Sequence, residues 1–201
     1  MQEGYIKFNC HWIKARPVSK DHTREINVWR DKLYALGLIG VYDDGIGFGN
    51  ISMRYERNTF IITGSATGGL KQLNENHFTL VSLYDLEQNS LECKGPVIAS
   101  SESLTHAAIY ESAPEIQAVI HVHNLKIWKK LMNEVPTTRA NAEYGTPEMA
   151  GEIKRLFRKT RVKDEKILVM GGHEEGIITF GKDMDEAGEK LLQIEAGFRA
   201  C

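Results

Sequence analysis

Gln117-Ala-Val-Ile-His-Val-His-Asn124 is the stretch on which the reading of this chain turns. Ala118, Val119 and Ile120 are apolar and largely β-branched, and Pro114 stops any helix ahead of them. That pattern predicts a short buried strand. His121 and His123 follow with one residue between them. A strand has a period of two, so both imidazoles point to the same side. Zinc usually takes three or four ligands, and two neutral imidazoles on one side supply a good part of such a set. His-x-His alone also fits two histidines packed or solvated at a strand end. The rest of the chain must supply a third ligand, a base and an anion pocket.

The chain has 201 residues, which is one large domain or two very small ones and long enough for a substantial core. Apolar residues make up 42% and charged residues 26%, the balance of a globular protein. The net charge is −2 with no long run of one sign, which gives no electrostatic case for nucleic acid or a membrane surface. Cys10, Cys93 and Cys201 are odd in number and scattered, a pattern that suits a reducing compartment better than a disulfide framework. The first twenty residues lack the apolar core of a signal peptide, and no stretch is long and apolar enough to span a bilayer. A cytoplasmic location is the expectation.

Residues 1–20 read as an irregular N-terminal arm, and 21–201 as one domain. Ile26, Trp29, Leu33 and Leu36 recur at helical spacing, and Gly37 suits the stop. Asp43–Gly49 is a glycine-rich loop. Ile51–Tyr55 and Thr59–Thr63 read as paired strands, as do Leu80–Leu86 and Leu91–Cys93. A second glycine-rich loop fills 64–69. Ser101–Ser112 reads as a helix, and another contains Ile127 and Trp128. Thr146-Pro-Glu148 is a helix start of cap, proline and first-turn acid. Ile167–Met170 and Ile177–Phe180 read as strands, and Asp183 as the cap of a last helix. Hairpins interleaved with helices predict one mixed or antiparallel sheet covered on both faces, a three-layer α/β/α domain.

Three features gather around His121 and His123. His173 lies in Met170-Gly-Gly-His-Glu-Glu-Gly176, just past an apolar strand, and is a candidate third ligand; a plain loop histidine fits too. Ser100-Ser101-Glu102 opens a helix, where free N–H groups and the positive dipole end favour an anion. The same tripeptide also reads as ordinary capping with a first-turn acid. The loops Gly45–Asn50 and Gly64–Gly69 offer N–H groups that can cradle phosphate, or are simply tight turns. Neither fits the dinucleotide fingerprint or a P-loop. His106, four residues after Glu102, reads as packing or as a support behind the candidate ligands.

Taken in order, Gly49-Asn50-Ile-Ser52, Ile62-Thr63-Gly-Ser65, Ser100-Ser-Glu102, Ala118-Val-Ile-His-Val-His123, Gly145-Thr146-Pro-Glu-Met-Ala150 and His173 with Gly176 resemble the class II aldolase/adducin family, which includes fuculose-phosphate aldolases. The resemblance implies that family's α/β/α sandwich. It implies about one zinc, or another divalent metal, per chain on His121, His123 and His173, with Glu102 as acid/base. It implies a substrate phosphate pocket made by Asn50, Gly64, Ser65, Ser100 and Ser101. It further implies a homotetramer and a lyase acting on a small sugar phosphate through an enediolate. A dehydratase or epimerase on the same site, or an adducin-like oligomerisation scaffold, are the alternatives.

The sequence departs from the family in places. Only 21 residues separate His123 from Gly145, and the segment that carries a tyrosine acid in sugar-phosphate aldolases is missing. Tyr144 is the nearest candidate, at a different position. The usual His-Gly becomes His173-Glu-Glu-Gly176, and the loop after Thr63 reads Gly-Ser-Ala-Thr67.

Overall fold

The computed structural model describes residues 5–199. In chain order the elements are β1 (Asn9–Lys14), α1 (Lys20–Ala35), β2 (Gly40–Val41), β3 (Gly47–Phe48), β4 (Asn50–Arg54) and β5 (Phe60–Thr63). Then come β6 (Phe78–Asp85), β7 (Ser90–Gly95), α2 (Ser103–Ser112), β8 (Ala118–His123) and α3 (Leu125–Leu131). The chain closes with α4 (Pro147–Lys159), α5 (Val162–Glu165), β9 (Ile167–Val169), β10 (Gly176–Gly181) and α6 (Met184–Arg199).

One sheet runs in the order β1-β7-β6-β5-β4-β8-β10-β9, and β2-β3 is a separate small hairpin. All pairs in the main sheet are antiparallel except β1 with β7. The chain thus builds the expected mixed or antiparallel sheet between helical layers, in its mostly antiparallel form. β8 lies inside it, between β4 and β10, and all six of its residues are buried.

The alternation along the strands sorts the core into two halves. Val119, Phe60, Ile62, Ile178 and Phe180 face one side, where they pack with α2 and α4. Ile120, Val122, Ile51, Ile61 and Ile177 face the other, under α1 and α6. His121 and His123 share the parity of Val119, so they emerge on the α2 side. Helix α2 is buried all round from Ser103 to Tyr110, because α4 covers the flank that the sheet leaves. Helix α4 starts as its sequence predicts: Thr146 accepts from the Met149 N–H, with Pro147 in the first turn. Such a cap stabilises a helix by about 1 kcal/mol.

Several local expectations are corrected. Residues 9–14, read as irregular, form β1, an edge strand. Residues 1–4 of the arm lie outside the described residues, as does Cys201. Helix α2 begins at Ser103 rather than Ser101, with Glu102 at its N-cap. Gly47–Phe48, inside the loop that starts at Asp43, is β3 and pairs with Gly40–Val41 ahead of that loop, and α5 was not foreseen. Cys10 and Cys93, far apart in sequence, meet as free thiols 3.7 Å apart. No helix among the described residues is long and apolar enough to cross a membrane.

Candidate metal centre and anion cleft

β8 delivers two of the three histidines and the β9–β10 turn delivers the third. His121 pairs with Asn50 on β4 and with Ile178 on β10, which fixes the height of its side chain in the sheet. His173 is set by the turn that closes the β9–β10 hairpin: its N–H donates to Met170 O, and its carbonyl accepts from Gly176 N. Gly171 and Gly172 permit that turn, since a Cβ on either would lie 2.2 Å from Thr138 O or 1.9 Å from Ala142 O.

The ring centroids of His121, His123 and His173 stand 4.7–5.2 Å apart. One nitrogen from each falls within 4.8 Å of the others, and all three residues are buried. A grouping this tight is hard to explain by packing, since imidazoles lose hydration when buried. His121 Nε2 is buried without a hydrogen-bond partner, while its Nδ1 lies 3.2 Å from Asn50 Nδ2. His123 Nδ1 lies 2.8 Å from the Tyr42 hydroxyl. Burial, then the neighbouring imidazoles, push the His121 and His123 pKa values well below the ordinary range. Both rings are therefore neutral at neutral pH, the state a metal ligand needs. The donor set, its spacing and the partnerless nitrogen all fit a divalent metal taking imidazole ligands.

Glu102 reaches this cluster from the start of α2. Its Oε1 is 3.1 Å from His173 Nδ1, and its Oε2 accepts from Thr105 Oγ1 at 2.7 Å. It makes no side-chain cap bond, although it stands at the N-cap. The carboxylate is thus turned away from the helix backbone and into the histidine cluster. His106, one turn further on, is not part of the cluster. Its Nδ1 pairs with Ser52 Oγ at 2.7 Å, and burial lowers its pKa to about 3.

Gly47–Asn50, Gly64–Gly68, Ser100–Glu102, His121, His123, Tyr144 and His173 line one cleft. All nine residues expected at a site from the sequence border it. Their means of contributing differ from expectation. The Gly64 and Ser65 N–H groups are spent on His77 O and Ile98 O. Gly64 is needed for packing, because a Cβ there would lie 2.4 Å from Val97. Among the described residues, Ala66, Thr67, Gly68 and Gly69 carry the N–H groups of this loop that make no backbone bond, and Ala66 is held at φ 60°.

Residues that sequence reading missed support the cleft. Arg30, 1% exposed, donates to the carbonyls of Thr67, Gly68 and Lys71 and pins the loop to α1. Its signal was an arginine on the apolar stripe beside Ile26, Trp29 and Leu33. Phe48 stacks on His123 at 5.4 Å between centroids, and Tyr144 packs on His173 at 4.7 Å. Lys7 Nζ sits 3.8 Å from the Tyr144 ring centre.

Comparisons with known proteins point the same way. An L-fuculose phosphate aldolase of Methanocaldococcus jannaschii is 27% identical over 162 residues, 73% of this chain and 80% of its own length. A 3-oxo-tetronate 4-phosphate decarboxylase of Haemophilus influenzae is 24% identical over 177 residues, 74% of each. Among solved structures, an L-fuculose 1-phosphate aldolase superposes with a TM-score of 0.67 at 19% identity, covering 90% of this chain and 84% of that one. A sugar-phosphate aldolase from Thermotoga maritima gives 0.66 at 16% identity, covering 88% and 91%. These likenesses show the fold. The model of the class II aldolase and adducin N-terminal domain matches residues 42–201, and the chain belongs to that family.

Proposed function

We propose that this protein is a metal-dependent lyase acting on a small phosphorylated hydroxyketone through an enediolate. The observation that carries the reading is the Glu102 carboxylate 3.1 Å from His173 inside a buried histidine triad, at the base of a glycine- and serine-lined cleft. His121, His123 and His173 would hold zinc or a similar divalent ion, about one per chain. Bound there, the ion supplies Lewis-acid polarisation of a substrate carbonyl. Glu102 moves a proton to or from the carbon beside that carbonyl, which needs a carboxylate with reach into the cleft. Asn50, Ser65, Ser100 and Ser101 offer side-chain donors to a phosphate, and Gly64 borders the same pocket. Holding the phosphate keeps the reacting carbon in register with Glu102.

A related aldolase and a related decarboxylase both act, by their names, on phosphorylated compounds. Aldol cleavage and decarboxylation of a 3-oxo acid both leave an enediolate or enolate, so one site serves either. A dehydratase or epimerase would use the same residues. A scaffold would not: three desolvated imidazoles, one with an unsatisfied nitrogen, destabilise a fold that does not use them. The same reading carries assembly into a homotetramer, which light scattering at micromolar concentration checks.

The test is metal analysis followed by a screen of phosphorylated ketoses and 3-oxo acids for cleavage, decarboxylation, epimerisation and dehydration. Metal content near one per chain, lost in both His121→Ala and His173→Ala, supports the site. Full metal content in both variants refutes it.

A further inference from the structure

Glu175 sits at φ 68°, a left-handed conformation that residues with a side chain seldom hold. It stands in the turn that carries His173, one residue before β10. Its Oε2 accepts a hydrogen bond from the Tyr42 hydroxyl at 2.7 Å. The Tyr42 oxygen lies 2.8 Å from His123 Nδ1, while the carboxylate itself is 3.9 Å from that nitrogen. The tyrosine is therefore the link between them. Its one proton goes to Glu175, so toward His123 its oxygen acts as an acceptor. His123 then carries its proton on Nδ1 and its lone pair on Nε2. Phe48 stacks on the His123 ring and packs against Tyr42, so one side chain braces both, and the Tyr42 and His123 rings meet edge-on at 62°. Backbone bonds hold both ends: Asn124 N–H donates to Glu175 O, and Tyr42 N–H donates to Ile46 O.

We propose that Tyr42 and Glu175 form a hydrogen-bonded relay that fixes His123 as an Nε2 donor, and that both are positioning residues for the metal centre. The proposal rests on the reading of His121, His123 and His173 as metal ligands. The physical logic is general: a partner on the far nitrogen sets a ligand's tautomer and ring angle and raises its basicity. The left-handed residue beside the site is consistent with it, because strained backbone persists where the surroundings require it. A glycine at 175 would hold this turn more easily but would carry no carboxylate.

The experiment measures zinc affinity of the full chain by competition with a chromophoric chelator, with cobalt(II) absorption as a second probe of ligand geometry. The variants are Tyr42→Phe, Glu175→Gly, Glu175→Gln, the Tyr42→Phe/Glu175→Gly double, and His123→Ala. Tyr42→Phe and Glu175→Gly should each weaken zinc binding roughly 10- to 100-fold and shift the cobalt spectrum. The double variant should be little weaker than the worse single, because both act through one chain of bonds. Glu175→Gln should lose less, since its amide oxygen still accepts from Tyr42. Metal-free Glu175→Gly should melt at or above the wild type, because glycine relieves the left-handed backbone. Wild-type zinc affinity in Tyr42→Phe and Glu175→Gly would overturn the relay. A fall in metal-free melting temperature that tracks the lost affinity would assign Glu175 a structural role and overturn it too. Failure of the wild type itself to bind zinc, or full binding by His123→Ala, would instead sink the metal-site reading beneath it.

Discussion

Asn50 and His121 are register partners on the adjacent strands β4 and β8, and Asn50 Nδ2 lies 3.2 Å from His121 Nδ1. Asn50 Oδ1 is buried with no partner, and so is His121 Nε2. A histidine that gives Nε2 to a metal carries its proton on Nδ1 and needs an acceptor there. Turning the Asn50 amide over supplies it, and the two amide hydrogens then face the cleft. One residue thus touches a candidate metal ligand and borders the anion cleft. Asn50→Ala should weaken zinc binding about tenfold by removing that support. Asn50→Asp should keep zinc binding but lose affinity for inorganic phosphate through repulsion. Equal loss of both ligands in both variants would contradict the dual placement.

Glu102 lies at the proton-moving end of the proposed mechanism. Glu102→Gln should leave zinc content unchanged and reduce deuterium exchange into a ketose phosphate such as dihydroxyacetone phosphate about 10²- to 10⁴-fold, the usual worth of an acid or base. Undiminished exchange in the variant would remove Glu102 from that role.

Tyr144 is the tyrosine that the structure puts against the triad, ring to ring with His173 and beneath the Lys7 ammonium. The hypothesis is that its hydroxyl protonates the departing oxygen in cleavage. Tyr144→Phe should slow carbon–carbon cleavage roughly 10²- to 10⁴-fold while leaving ketone deuterium exchange near wild type. Loss of both together would indicate that Tyr144 only packs the site.

His106 sets a prediction for acid. Burial lowers its pKa to about 3, against an ordinary 6.5. Below 6.5 the unfolded chain binds a proton that the folded ring refuses, so stability is complete above that pH and falls as pH drops toward 3. The slope is about 1.4 kcal/mol per pH unit, and from pH 6.5 to 5 this ring accounts for about 2 kcal/mol. Urea unfolding of metal-free protein at pH 7 and pH 5 should show that loss. His106→Gln should show a smaller one, since the other buried histidines remain. An identical pH dependence in the variant would assign the acid sensitivity elsewhere.

The sequence alone determined much of this protein. Period-two alternation placed His121 and His123 on one side of a strand, and β8 does this because the pleat leaves no other choice. Thr146-Pro147 marked a helix start because capping is local chemistry, readable within four residues. The order of short motifs named the family. Local signals failed where the answer depended on distant partners. β1 looked irregular because its hydrogen bonds come from β7, some eighty residues away, and an exposed edge strand needs no strong apolar pattern. The start of α2 moved because Glu102 serves the cleft instead of the helix it precedes. Gly64 looked like a phosphate cradle, yet its N–H belongs to His77 O and its missing side chain to Val97. Tyr42 and Glu175 are 133 residues apart and carry no motif, so only the closed fold could bring them to His123. Residue type and spacing fix which ligand atoms a chain can offer. Tertiary packing decides which nitrogen, which hydroxyl and which backbone N–H are left to use, because each buried polar group must first find its partner.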